Sequence, residues 1–536
     1  MKNTSQALTE AAIVVNPAHD NVAVAKKFIP ANTHLHWHNS IITIRSDIQP
    51  GHRFSLDKVP VGAWVRQYGQ PFARAVKGLN PGDPVNAVTV ENVIPERPVT
   101  DDTTAGTAAT PFMPGCTDPP PTFMGYPRTD GLVGTRNWVV VVPTSMCSSH
   151  EAAQIALRAE AQELYTRERY PNVDGVTALT HTGGCGCPDP HPGAVKPGAY
   201  ETTLRILTQH IQHPNVGAVL MVELGCEKTN LAAFDTYFGT ADLSARFGKP
   251  VLSLGIQDLG GTMETITEGL ALMPGLLEAA NRTQREPLPI SALALGLECG
   301  GSDAFSGLTA NPALGHASDL LISCGGRSII SEVPEFYGAE HLFAQRAVDP
   351  DTKKAIYSVL NDYKMFAERD GHNLSENPSP GNKKGGLLNI TIKSLGAIAK
   401  SGTAPVQGVM QYGEWVWDSP AAGVYMLNTP GYDPPSVTGM VGAGCQLVCF
   451  TTGRGSVFGN AIAPVIKISS NDTLYQHMHH NIDINAGVVL SENRDLTKMG
   501  HDILEKIIAV ASGEMTKAEL TGHREFMLWN NEGIWF

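Results

Sequence analysis

Residues 216–230 read Val216-Gly-Ala-Val-Leu-Met-Val-Glu-Leu-Gly-Cys-Glu-Lys-Thr-Asn230, an apolar run of strand length that ends in a glycine turn with a cysteine. Two further stretches share this order, Val176-Thr-Ala-Leu-Thr-His-Thr-Gly-Gly-Cys-Gly-Cys187 and Ala292-Leu-Ala-Leu-Gly-Leu-Glu-Cys-Gly-Gly-Ser-Asp303. Helical patterns between the strand candidates favour a parallel sheet with crossover helices. Because open α/β sheets bind ligands beyond the carboxyl ends of their strands, the three turns are predicted to approach one site.

Reactive side chains lie in or beside all three turns. The set along the chain is His181, Cys185, Cys226, Glu227, Lys228, Glu298, Cys299 and Asp303. Thiols, an imidazole, carboxylates and an amine in one place would suit a metal-assisted enzyme. A single free cysteine is more often a small apolar core residue. Recurrence at three strand ends favours a functional role here.

Composition narrows the class of protein. The 536 residues are 42% hydrophobic and 17% charged, which predicts a globular chain of two to four domains. A net charge of −13 disfavours a nucleic-acid partner. No apolar run reaches the roughly 20 residues of a membrane helix, and the N-terminus lacks a secretion signal. Nine cysteines, an odd number, then predict reduced thiols and a cytoplasmic location.

Four segments are predicted along an α/β chain with mostly parallel sheets. Residues 1–97 alternate short strands with Pro, Gly and Asn turns, as in a small β-barrel-like module. Residues 98–124 are rich in Thr, Ala and Pro and predict a linker. Residues 125–380 and 381–536 form the larger α/β region, divided near a Pro- and Gly-rich turn. Helices are expected near 149–169, 200–213, 229–247, 262–281, 389–400 and 497–511.

Two glycine loops in the last third of the chain carry cations. Asn382-Lys-Lys-Gly-Gly386 precedes a predicted helix, whose first backbone amides attract anions. Phe450-Thr-Thr-Gly-Arg-Gly455 places an arginine fork, which suits a carboxylate, in a turn after a strand. Neither loop matches a phosphate-binding P-loop. They predict that Asn382, Lys383, Lys384 and Arg454 bind an anionic substrate.

Two other patterns carry weaker signals. Cys185 and Cys187 form C-x-C, and partner cysteines at zinc-finger spacing are absent, so a structural zinc is disfavoured. His34-Leu-His-Trp-His38 would place three imidazoles on one strand face, which is equally typical of a solvated surface. No role is assigned to these histidines.

An ordered set of motifs spans nearly the whole chain. It includes Asp20-Asn-Val-Ala-Val-Ala25, Gly51-His-Arg53, Arg66-Gln-Tyr-Gly69, Leu224-Gly-Cys-Glu227, Ser331-Glu-Val-Pro-Glu-Phe-Tyr-Gly-Ala-Glu340 and Thr451-Thr-Gly-Arg-Gly455. By these motifs the chain resembles the altronate/galactarate dehydratase family, hydro-lyases of sugar acids. The resemblance implies an N-terminal SAF (β-clip) module and a larger catalytic region. It also implies a divalent metal, with Fe²⁺ first and Mn²⁺ or another divalent cation as alternatives.

The resemblance and the residue chemistry together give a hypothesis for the site. The expected metal ligands are Cys185, Cys226, Cys299 and His52. As an alternative, the three strand-end cysteines also permit a [4Fe–4S] cluster with one open iron. The catalytic acid and base are expected among His52, His181, Glu227, Lys228, Glu298 and Asp303. Substrate carboxylates would contact Arg66, Asn382, Lys383, Lys384 and Arg454.

The expected substrate is galactarate, dehydrated to 5-dehydro-4-deoxy-glucarate, because residues 377–386 and the chain length are similar to that branch of the family. Altronate dehydration and a sulfolactate-type lyase reaction are alternatives within the family. A sugar-acid binding or sensing protein is the alternative from another class, since it would need the anion loops but not the thiols. The expected partner is a small sugar acid, without nucleic acid or membrane, and a homodimer is the default assembly.

Overall fold

Two parallel sheets dominate a computed structural model that describes residues 5–95, 115–187, 198–240 and 242–529. One sheet has four strands and the other has seven, and a small β-rich region precedes both. The predicted α/β class with a small N-terminal β-rich region is confirmed. Among the described residues, no helix is long and apolar enough to cross a membrane.

Short strands and tight turns build the N-terminal region. A four-stranded antiparallel sheet contains Ala12–Ile13, Val22–Ala25, Arg53–Ser55 and Pro84–Val85. Two three-stranded sheets contain Ser5–Ala7, His34–Trp37 and Ser40–Thr43, and Trp64–Gln67, Gln70–Ala75 and Val90–Glu91. The turn at Gly82 has φ +88°, and a Cβ there would lie 2.0 Å from the Thr43 carbonyl oxygen, so this close packing requires glycine.

The four-stranded parallel sheet has the order Gly175–Ala178, Trp138–Pro143, Val216–Glu223 and Val251–Gly255. Its helices are Ser149–Ala161, Ala199–Gln212, Leu231–Phe238, Leu243–Phe247, Ile256–Leu259 and Thr262–Asn281. Two helix predictions were too long. The first helix ends at Ala161, just before Glu163 with φ +56°, and the 229–247 prediction is divided at Gly239, which has φ +66°.

The seven-stranded parallel sheet forms the C-terminal core. Its order is Val406–Met410, Gly423–Leu427, Arg327–Ile330, Ala294–Cys299, Leu447–Thr452, Val465–Ser469 and Ile484–Asn485. Its central strands are buried on both faces, which explains their continuous apolar runs. Two of the seven strands precede residue 380, so the predicted segment boundary falls inside this sheet.

Helices surround the seven-stranded sheet. They are Ala310–Ser323, Glu340–Ala344, Pro350–Arg369, Pro380–Lys384, Ile390–Ala397, Asp433–Gly442, Asp472–His477, Val488–Ser491, Leu496–Ala511 and Lys517–Leu520. The helices predicted near 389–400 and 497–511 are therefore present. Of the predicted linker, residues 98–114 lie outside the described residues. The later strand Thr122–Pro127 pairs with Val133–Gly134 and Glu286–Pro289.

One pair of cysteines corrects the expectation of uniformly reduced thiols. Cys116 and Cys324 form a disulfide across 208 residues, with Cα atoms 4.9 Å apart. The pairing depends on where residues 115–121 pack against the end of the helix Ala310–Ser323, which sequence spacing does not reveal. The other seven cysteines are free.

Candidate active site

Most of the predicted site residues fall into three places instead of one. The interdomain cleft contains His52, Asp303, Lys384 and Arg454. The buried charge cluster contains Glu298, Cys299, Glu332, Glu335, Lys393, Lys400 and Asp433. The cysteine cluster contains Cys147, Cys185 and Cys226, which lie at the four-stranded parallel sheet. The expectation that the three cysteine turns share one site is therefore wrong for the turn at Cys299, because that turn belongs to the seven-stranded sheet.

The interdomain cleft is a cavity of about 840 Å³ between the N-terminal region and the seven-stranded sheet. Asp303, Arg454 and Asn471 line it after the three adjacent strands Ala294–Cys299, Leu447–Thr452 and Val465–Ser469. This is the carboxyl edge of a parallel sheet, where α/β folds place their ligands. The position of the cleft therefore agrees with a substrate site.

His52 reaches the cleft because two glycine motifs pack backbone against backbone. A Cβ on Gly51 would lie 3.0 Å from the Gly385 carbonyl oxygen, and one on Gly386 would lie 2.5 Å from the Gly51 carbonyl oxygen. Both glycines have positive φ, so a side chain would also strain the backbone. The guanidinium of Arg53 donates to the Gly386 carbonyl and reinforces this contact. These contacts fix His52 opposite the C-terminal loops.

The imidazole of His52 is suited to accept a proton. Burial lowers the pKa of His52 below its usual 6.5, and the neighbouring Arg53 lowers it further. A backbone hydrogen bond with Lys384 opposes this shift and orients the ring. The net direction is downward, so the ring is neutral at pH 7 and one nitrogen is available as a base.

Asp303 organises the floor of the cleft. Its Oδ1 accepts from Ser470 Oγ at 2.7 Å and from the Ser306 amide at 2.9 Å, and its Oδ2 accepts from Asn471 Nδ2 at 3.1 Å. Burial raises the pKa of Asp303, and these hydrogen bonds limit the rise. Because donors point at both oxygens, the carboxylate fixes the loops that carry Ser470 and Asn471.

Three residues predicted to bind substrate lie outside the cleft lining. Arg66 is exposed on the strand Trp64–Gln67, Asn382 is buried, and Lys383 points to solvent. The cations that line the cleft are Lys26, Lys27, Lys384 and Arg454. Lys26 and Lys27 were missed, although they directly follow the quoted motif Asp20-Asn-Val-Ala-Val-Ala25, because two lysines after a strand resemble a solvated turn.

The buried charge cluster begins at the end of the strand Ala294–Cys299. Lys400 Nζ donates to Cys299 Sγ at 2.9 Å and to Glu332 Oε2 at 3.2 Å, and Lys393 pairs with Glu335. Burial raises the pKa of Glu298 well above its usual range, and the nearby Glu332 adds to the rise. This shift favours the protonated form of Glu298, which shares a hydrogen bond with Glu332.

This cluster does not fit a divalent metal ion, although its acidic atoms converge. Within the described ranges, candidate ligand atoms lie within 4.8 Å of one another in the sets Cys299, Glu332 and Glu335, and Glu298, Glu332 and Asp433. The ammonium groups of Lys393 and Lys400 already neutralise the same atoms. Burial also raises the pKa of Cys299 well above its usual range, which opposes formation of the thiolate that binds metals.

The remaining predicted residues, His181, Glu227 and Lys228, lie in the loops that carry the cysteine cluster. Burial lowers the pKa of His181 to about 4, and both its ring nitrogens are occupied, by the Pro143 carbonyl at 2.9 Å and the Gly183 amide at 3.2 Å. Burial opposes ionisation of Glu227, but hydrogen bonds from Thr144 and from the Gly225 amide give a net lowered pKa. Both residues therefore stabilise loops, and Lys228 is exposed.

The cleft has converging cations, a neutral imidazole and a fixed carboxylate at a sheet edge, an arrangement typical of enzyme active sites. Comparison with known proteins identifies the kind of enzyme. Residues 10–93 match the family described as "Altronate/galactarate dehydratase SAF domain". Residues 125–281 match "D-galactarate dehydratase/Altronate hydrolase, second domain", and residues 290–534 match "D-galactarate/Altronate dehydratase, C-terminal". The chain belongs to the galactarate/altronate dehydratase family.

Curated members of this family align with most of the chain. Altronate dehydratase of Bacillus subtilis is 34% identical over 96% of this chain and 97% of its own length. Altronate dehydratase of Escherichia coli is 33% identical over 96% and 98%. Galactarate dehydratase (L-threo-forming) of E. coli is 34% identical over 87% and 86%. The predicted family and the predicted hydro-lyase class are confirmed.

Proposed function

We propose that the interdomain cleft dehydrates a six-carbon sugar acid, with galactarate as the first candidate substrate and 5-dehydro-4-deoxy-glucarate as its product. The supporting observation is that cations enter from both sides, Lys26 and Lys27 from the N-terminal region and Lys384 and Arg454 from the C-terminal loops. Galactarate carries a carboxylate at each end, so each end can meet a cationic partner. Burial and the charge of Lys27 lower the pKa of Lys26, and a bound anion would relieve that repulsion.

The reaction removes a proton next to a carboxylate and expels a hydroxyl group from the neighbouring carbon. Arg454 and Lys384 hold the carboxylate and stabilise the negative charge that develops as the C–H bond breaks. The free nitrogen of His52 takes this proton. The resulting imidazolium returns a proton to the departing hydroxyl group, which leaves as water. The enol that remains tautomerises to the 2-keto-3-deoxy acid.

The expected divalent ion, Fe²⁺ or Mn²⁺, would supply Lewis-acid stabilisation of the same charge. Within the cleft, His52 and Asp303 are donors that such an ion could use. The described residues of the cleft do not form a set of three ligand atoms within 4.8 Å, and the oxygens of Asp303 already accept several hydrogen bonds. The cleft therefore does not fit a complete protein site for one ion, and no step above depends on it.

Altronate is the second candidate because both altronate dehydratases align with 96% of this chain. Altronate has one carboxylate, so it would engage Arg454 and Lys384 without needing Lys26 and Lys27. This difference separates the two substrates experimentally. Replacing Lys26 and Lys27 together with alanine would raise KM for galactarate but not for altronate.

A substrate panel tests the proposed reaction. Anaerobically purified protein is incubated with galactarate, altronate and sulfolactate, and products are identified by mass spectrometry. The proposal expects a 2-keto-3-deoxy acid from galactarate at the highest kcat/KM. Sulfite release from sulfolactate alone would point to the lyase alternative. Sugar-acid binding without any product would support the binding-protein alternative and contradict the proposal.

Arg454→Ala is expected to raise KM for galactarate about 10- to 100-fold, because a charged hydrogen bond contributes about 1.5–3 kcal/mol. Steady-state kinetics measures the change. Arg66→Ala is the matched control, since Arg66 was predicted from sequence to bind substrate but is exposed outside the cleft lining. A larger effect of Arg66→Ala than of Arg454→Ala would contradict the cleft assignment.

Assembly and cellular location rest on general rules alone. A homodimer is proposed as the default assembly, and a cytoplasmic location remains a prediction. Light scattering coupled to size-exclusion chromatography measures the mass and tests the homodimer directly.

A further inference from the structure

We propose that Cys147, Cys185 and Cys226 are protein ligands of a [4Fe–4S] cluster and bind three of its four irons, with no fourth exposed free cysteine among the described residues. These three cysteines differ from the other free cysteines in their exposure to solvent. The three thiols are exposed, whereas the free cysteines Cys187, Cys299, Cys445 and Cys449 are buried. A role as small buried apolar residues therefore does not explain these three cysteines. Exposed thiols grouped at one sheet edge suit metal binding.

Adjacent parallel strands bring the three cysteines together. Cys147 follows Trp138–Pro143, the strand that lies between Gly175–Ala178 and Val216–Glu223. Cys185 and Cys226 follow these two neighbours. Carboxyl ends of adjacent parallel strands lie at the same sheet edge, so the three loops meet there.

Hydrogen bonds tie the three loops to one another before any metal binds. The Met146 amide donates to the Gly183 carbonyl at 2.9 Å. Thr229 Oγ1 donates to the Thr144 carbonyl at 2.6 Å and to the Gly184 carbonyl at 3.1 Å. Gly184 has φ +95°, and a Cβ there would lie 2.5 Å from the Thr144 carbonyl oxygen. The thiols are therefore carried on a preorganised frame.

The thiols also lie close enough to influence one another. Cys185, Glu227 and Cys226 all lie near enough to the Cys147 thiol to interact with it electrostatically. The Cys147 and Cys185 side chains are within hydrogen-bonding reach. Three thiolates here would repel one another without a cation between them. Iron supplies that cation, and the thiols release their protons to solvent when they bind it.

Spacing favours a cluster over a single metal ion. One tetrahedral ion with bonds of about 2.3 Å would draw its sulfur ligands to about 3.8 Å from one another. In the described part of the chain, the three thiols do not form a set with all atoms within 4.8 Å. In a cluster each thiolate binds a different iron, which allows wider spacing. Glu227 is not a convenient fourth ligand, because the Leu224 and Gly225 amides donate to its oxygens at 2.9 and 2.7 Å.

Metal analysis of the anaerobically purified full-length chain tests the proposal. About four iron and four acid-labile sulfide per chain are expected, with the broad visible absorbance of a cluster. Cys147→Ser, Cys185→Ser and Cys226→Ser should each reduce iron to below about one per chain. Cys187→Ser is the matched control, since Cys187 lies in the same loop as Cys185 but is buried, and it should retain the cluster.

A second measurement uses only the wild-type protein and so does not depend on the folding of any variant. Alkylation of the wild-type protein, read by mass spectrometry, should label the three cysteines only after iron is removed by a chelator. Zinc in place of iron, wild-type protein without iron and sulfide, or full iron retention in all three variants would overturn the proposal. Galactarate turnover is not used as a readout, so this result is independent of the proposed function.

Discussion

His52→Gln is expected to lower kcat/KM for galactarate by about 10²–10⁴-fold, the typical contribution of a positioned acid–base group. Glutamine keeps much of the side chain's volume and can still contact the Lys384 backbone, but it cannot accept the substrate proton. The loss should lie mainly in kcat, because Arg454 and Lys384 still hold the carboxylate. Steady-state kinetics with circular dichroism separates lost chemistry from lost folding.

The pH profile gives an independent readout of the same residue. A base must be neutral, so wild-type kcat/KM should fall as the pH decreases through the pKa of His52, which burial places below 6.5. This acidic limb should disappear in His52→Gln. His36→Gln is the control, because His36 is exposed on the strand His34–Trp37. A loss of less than threefold, or an unchanged acidic limb, would exclude His52 as the base.

Lys400→Met should destabilise the protein by about 3–5 kcal/mol, because it removes one partner of a fully buried ion pair. The side chains of Lys400 and Glu332 are each 1% exposed. Burial lowers the pKa of Lys400, but the surrounding acidic groups raise it well above its usual value, so the amine is charged in the folded state. Methionine has a similar length and leaves the buried carboxylate without its cation.

Urea unfolding followed by circular dichroism measures this change. The loss should be larger at pH 8 than at pH 5, since protonation of the buried carboxyl groups relieves the uncompensated charge. Lys506→Met is the control, because Lys506 pairs with Glu514 at the surface and should cost less than about 1 kcal/mol. Equal losses in the two variants would show that the buried charge cluster does not stabilise the fold.

The sequence was sufficient to predict the parallel sheets but not which strands share a sheet. Apolar runs that alternate with helical periodicity marked Val216–Glu223 and Ala294–Cys299 correctly. The two strands look alike locally, yet they belong to different sheets, so Cys226 and Cys299 do not share a site. Sheet membership depends on long-range strand pairing, which a local pattern does not contain.

Two site features were missed for a related reason. Cys147 lies in the short helical turn Met146–Ser148 instead of a glycine turn, so the pattern that revealed Cys185 and Cys226 did not include it. The packing of Gly51 against Gly385 joins positions more than 300 residues apart. Only the family resemblance brought His52 into the prediction, and the structure supplies the physical reason.

A crystal structure of the His52→Gln variant with galactarate tests the central claim most directly. The slow variant preserves the bound sugar acid during data collection. One galactarate carboxylate is expected between Arg454 and Lys384, with its α-carbon facing residue 52 and its other carboxylate towards Lys26 and Lys27. Galactarate bound instead beside Cys226, or in the separate cavity of about 310 Å³ that His181 lines, would contradict the assignment of the active site to the interdomain cleft.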